Sequence, residues 1–124
     1  MKAIRVSDVP KVIHHSERDS VIGAWATNQM LITKEEMENS GAKKFVLLEY
    51  IIFPPGTSTP KHTDPEGMEA MVYVTKGEAI FSIGDREEKV KGGSVIYIPS
   101  GALHYIKNSS KHNLEYVYFT VSLK

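Results

Sequence analysis

Apolar and polar positions alternate in short bursts along this chain, and Gly, Pro, Asn and Asp cut the bursts apart. That rhythm predicts many short β-strands rather than helices. From Lys44 onward it is regular. Phe45 to Phe53 is the longest apolar stretch and predicts a central strand, closed by Pro54-Pro55-Gly56. Glu69 to Thr75 and Glu78 to Ile83 flank Lys76-Gly77, which reads as a hairpin turn. Gly84-Asp85 leads into Arg86 to Val90, a charged strand expected to face solvent. Gly92-Gly93 precedes Val95 to Ile98, and Pro99-Ser100-Gly101 precedes Leu103 to Ile106. Leu114 to Ser122 ends the series with β-branched and aromatic residues.

Ahead of Lys44 the pattern is looser. Ile4 to Val6 reads as a short edge strand, His14 to Ser20 as a polar loop, and Val21 to Ile32 as extended chain around Trp25. Thr33 with Glu36 makes a capping box, and Gly41 stands where a helix would stop, so the span TKEEMENS predicts one brief connecting helix. Strands spaced this closely must bury their apolar faces on each other, as a sandwich or a closed barrel. The expected fold class is all-β in one domain. Residues 1–43 supply N-terminal strands and the short helix, and residues 44–124 the barrel.

Composition narrows the field. A chain of 124 residues, 41% hydrophobic and 24% charged, has the make-up of an ordinary globular domain. Fifteen basic residues balance fifteen acidic ones without clustering, which leaves no electrostatic footprint for nucleic acid or an anionic membrane. The apolar runs are too short to span a bilayer, and MKAIRVSDVP lacks the apolar core of a secretory signal. The expected compartment is the cytoplasm. No cysteine is present, so any metal must be held by imidazole, carboxylate or water.

Two stretches carry candidate chemistry. In GTSTPKHTDPEGMEAMVYVTKG, His62 and Asp64 are separated by one residue, so on extended chain both side chains leave the same face. Polar neighbours surround them, and a plain polar loop is the competing reading. In GSVIYIPSGALHYIKN, Pro99 and Gly101 set a tight turn ahead of a strand that presents His104. His14, His15 and His112 read as solvent-facing, and the aromatic residues mostly as barrel wall.

These two stretches resemble the paired motifs of the cupin superfamily. Gly93, Pro99, Gly101, His104 and Asn108 fill the second motif without departure, and Gly56, His62 and Gly77 fit the first. The resemblance implies a double-stranded β-helix, a jelly-roll-like barrel, with metal ligands pointing inward. Two departures bear on the site. Asp64 stands where the family has a second histidine, and Ala70 stands at the family's glutamate position, with Glu69 one residue away. A one-residue slip reverses the face of a strand side chain, so Glu69 reaches the interior only if a β-bulge near Gly67 re-aims it. The implied shell is His62, Asp64 and His104, with Glu69 as a conditional fourth member. Such a shell suits a divalent transition metal of the Fe, Mn, Ni, Co or Zn kind. The implied function is a metal-dependent enzyme acting on a small oxygenated organic molecule, as a dioxygenase, isomerase, lyase or decarboxylase. A non-catalytic small-molecule binder with an incomplete shell is the alternative. The family likeness also implies a homodimer, with the residues before Phe45 at its interface.

Overall fold

The computed structural model describes residues 5–13, 27–32, 35 and 44–123. Nine strands lie within them: β1 (Val12–Ile13), β2 (Thr27–Ile32), β3 (Phe45–Phe53), β4 (Met68–Lys76), β5 (Glu78–Ile83), β6 (Arg86–Lys91), β7 (Val95–Ile98), β8 (His104–Lys107) and β9 (Leu114–Ser122). Val6–Asp8 forms a short 3-10 turn, so Val6 is not part of an edge strand. The helix expected over TKEEMENS lies outside the described residues except Glu35, which is helical. His14, His15 and Trp25 also lie outside them.

All pairings are antiparallel. Six strands form one sheet in the order β1-β2-β3-β9-β4-β7, and three form another in the order β6-β5-β8. Alternation sorts the side chains. On β4, Ala70, Val72 and Val74 are buried while Tyr73 is exposed; on β7, Ile96 and Ile98 are buried while Val95 and Tyr97 are exposed. The buried sets of both sheets meet in one apolar core. Phe53, Val72, Val74, Ile98 and Tyr116 from the larger sheet join Ala79, Phe81, Val90 and Ile106 from the smaller one. Tyr116 bridges the sheets, with its ring 5.9 Å from Phe53 and 6.3 Å edge-on from Phe81. The result is the all-β fold that the strand pattern predicts, with the barrel form that the cupin resemblance implies.

Two local devices fix the register. Gly77, in the turn between β4 and β5, has φ +84°, and a Cβ there would lie 2.3 Å from the Asn113 carbonyl oxygen. Only glycine fits so close an approach. Just before it, the β4–β9 register shifts between Val74 and Lys76, which leaves Thr75 as an extra residue. The Thr75 hydroxyl donates to the Glu115 carbonyl at 3.1 Å. Asn108 closes the same end of the barrel. Its buried amide donates to the Phe53 and His112 carbonyls at 2.8 Å each, tying the β8–β9 loop to the end of β3.

Candidate metal centre

His104 opens β8, immediately after the Pro99–Ala102 turn. His62 lies in the segment between β3 and β4. The two residues face each other across an antiparallel bridge, with N–H to O=C bonds of 3.0 and 2.9 Å running in both directions. Directly opposed residues of such a pair send their side chains to the same face. The imidazole centroids are accordingly 4.3 Å apart. Asp64 follows at the expected same-face spacing, and its Oδ1 lies 3.8 Å from His104 Nε2. The ligand atoms of His62, Asp64 and His104 all fall within 4.8 Å of one another. These three residues could hold a metal ion.

The donor chemistry fits that role. His62 Nδ1 lies 2.8 Å from the Pro60 carbonyl oxygen, and His104 Nδ1 lies 2.9 Å from that of Ala102. A carbonyl only accepts, so Nδ1 carries the proton in each ring and Nε2 keeps its lone pair. Each histidine thus fixes its own tautomer through the carbonyl two residues upstream. A second bond of this kind orients the ring and raises its basicity toward a metal. His104 is buried, His62 and Asp64 half-buried.

Glu69 does not join them. It pairs with Val121 across β4–β9, while its neighbour Ala70 points inward and is fully buried. The β4–β9 register runs unbroken from Met68 to Val74, so the bulge expected near Gly67 to re-aim Glu69 is not found there, and the shift at Thr75 lies too far along the strand to change its face. Gly67 instead lies in a turn, with the Met68 amide bonded to the Pro65 carbonyl. Glu69 accepts a hydrogen bond from the Tyr97 hydroxyl on the outer surface. That bond, with some desolvation, holds the Tyr97 phenol above its ordinary pKa.

A cavity of about 310 Å³ opens beside the three candidate ligands. Most of its wall is apolar, from Ile51, Phe53, Ile98 and Ile106. Glu49, Thr59 and Thr120 add polar groups to that wall beyond the sequence candidates, and two of them are buried. Glu49 is 6% exposed and Thr120 is 4% exposed. Glu49 had a readable sign, since it is the one charged residue in FVLLEYIIF and shares a face with Ile51 and Phe53. Thr120 in LEYVYFTVS had none.

Residues 49–120 match the Cupin domain family, which is more than half of the chain. The chain is a cupin. This cupin is 32% identical over 87 residues to the oxalate-binding protein of Thermotoga maritima, covering 70% of this chain and 68% of that relative. Its structure superposes on a predicted oxalate decarboxylase from Thermotoga maritima with a TM-score of 0.86 and 26% identity, covering 98% of this chain and 100% of the other. The polyketide cyclase RemF from Streptomyces resistomycificus follows at a TM-score of 0.78 and 25% identity, covering 100% of the cupin and 80% of that chain.

Proposed function

We propose that this cupin is a metal-dependent enzyme acting on a small oxygenated organic molecule, in the dioxygenase, isomerase, lyase or decarboxylase range. The observation that carries the reading is the convergence of two oriented imidazole Nε2 atoms and one carboxylate on the wall of a ligand-sized cavity. His62, His104 and Asp64 would hold the ion. A bound divalent metal supplies Lewis acidity and a positive charge for substrate oxygens. The chain's own residues do the rest. The Pro60 and Ala102 carbonyls hold the rings in one orientation, and the apolar wall excludes water. The names of the relatives are compatible with this class, since each refers to an oxygen-bearing organic compound.

Elemental analysis of purified chain is expected to find close to one transition metal ion per molecule. His104→Ala is expected to lose it. Full metal retention by that variant would refute the assignment.

Ala70 favours a second reading, a non-catalytic binder with a shortened shell. A metal-free chain whose melting temperature still rises with small ligands would support that reading over the first. We also infer a cytoplasmic homodimer. Its interface is placed in the residues before Phe45, and sedimentation should give twice the chain mass.

A further inference from the structure

Asp64 and Met68 stand at the two ends of one short loop that leads into β4. The Met68 amide donates to the Pro65 carbonyl at 3.2 Å, and the Leu123 amide donates to the Gly67 carbonyl at 2.7 Å. These bonds close the loop on itself and pin it to the chain just beyond β9. Both ends of the loop line the same cavity as the rings of His62 and His104.

Strand parity fixes the side to which Met68 belongs. The β4–β9 register is unbroken from Met68 to Val74. Met68 therefore shares a face with Ala70, Val72 and Val74, which are fully buried, and not with the exposed Tyr73. Ala70 follows it on that face, roughly 6.6 Å along the strand, and offers a metal no donor atom. Met68 does offer one. Its thioether sits on an unbranched side chain with three rotatable bonds, which adapts readily to the space beside a small residue. The sequence contains no cysteine, and among the described residues that line the cavity Met68 alone carries sulfur.

The donors around the cavity thus differ in kind. Asp64 brings hard oxygen and Met68 soft sulfur, while His62 and His104 present intermediate imidazole nitrogens with Nε2 unprotonated. Carboxylates suit hard divalent ions, whereas thioethers select Cu(I). We propose that Met68 is a fourth donor at this centre, and that its thioether lets the site take Cu(I) with His62, His104 and Met68 as ligands. This rests on the metal reading above and adds a second class of ion to it. Asp64 serves the harder divalent ions and Met68 the soft monovalent one.

The test is anaerobic Cu(I) binding to the full chain, with ascorbate as a sulfur-free reductant and bicinchoninate as the competing chelator, alongside titration with Zn²⁺. X-ray absorption of the Cu(I)-loaded chain is expected to show a sulfur scatterer, which in a chain without cysteine comes from methionine. Met68→Leu nearly conserves side-chain volume and is expected to remove that sulfur signal. It should also weaken Cu(I) at least about ten-fold, the loss that follows removal even of a group that only supports a metal ligand. Zinc affinity is expected to stay unchanged. Met71 lies on the opposite face of β4, paired with Tyr97, so Met71→Leu should keep both the sulfur signal and the Cu(I) affinity. Cu(I) bound without sulfur, or a sulfur signal that survives in Met68→Leu, would overturn the proposal. Zinc binding without Cu(I) binding would overturn it too, and would leave the metal reading standing. A chain that takes neither ion overturns both.

Discussion

At the scale of single residues, Thr120 carries a buried hydroxyl oxygen with no hydrogen-bond partner. An unpartnered buried hydroxyl costs the free chain the desolvation of that group, about 1–3 kcal/mol. Thr120→Val should therefore raise the unfolding free energy of the ligand-free protein by about 1 kcal/mol or more, read from the urea midpoint at unchanged slope. Asn108 is the contrasting case. Its amide satisfies two carbonyls, and its own Oδ1 accepts from the Ser110 amide and hydroxyl. Asn108→Ala leaves those buried groups without partners and should cost about 2–4 kcal/mol in the same measurement. Asn108 was visible in the sequence as the last position of a motif. Its work is structural, holding the loop that follows β8.

At the scale of elements, the period-two pattern gave β3, β5, β7 and β9 with their observed ends, because each is a run of apolar or alternating residues between turn formers. Side-chain direction was harder to read. Facing depends on the parity of every residue back to the last fixed point, and a single bulge resets it. The bulge at Thr75 has no sequence marker, so the position of Glu69 could not be settled by counting. His62, Asp64 and His104 were legible for the opposite reason. Two residues share a local i, i+2 spacing, and the third follows a turn punctuated by Pro99 and Gly101. Glu49 and Thr120 escaped notice because their polar atoms interrupt strands that are otherwise core. The β4–β5 turn makes its own prediction. Gly77→Ala forces a side chain into a positive-φ position against the Asn113 backbone and should destabilise by about 2–4 kcal/mol. Urea unfolding would register it as a lower midpoint.

At the scale of the whole molecule, tyrosine–carboxylate pairs decorate the outer faces of both sheets. Tyr50 donates to Glu115 at 2.8 Å, Tyr105 donates to Glu87 at 2.6 Å, and Tyr97 donates to Glu69. All three phenols are held above the ordinary value of 10.0. Burial is the largest cause for Tyr50, and the carboxylate hydrogen bond is the largest for the other two. A raised pKa in the folded state means that the unfolded chain releases these protons first. The stability they add is complete below pH 10 and fades as pH climbs through the folded values. Thermal melts taken from pH 8 upward should therefore show a falling limb that begins near 10. Tyr50→Phe should flatten part of it, since the other two hydroxyls are exposed and screened.

The backbone bridge between His62 and His104 has a consequence for the barrel as well as for the site. The same two amide–carbonyl bonds that set the imidazoles side by side also fasten the loop ahead of β4 to the edge of the smaller sheet. An ion held at the proposed site would therefore be coupled to edge closure, and coupling of that kind is reciprocal. Stripping the metal should speed hydrogen exchange at the His62, Thr59 and His104 amides well before it affects those of β3 or β9. By the same factor, any change that stiffens this seam should tighten the grip on the ion without touching a ligand.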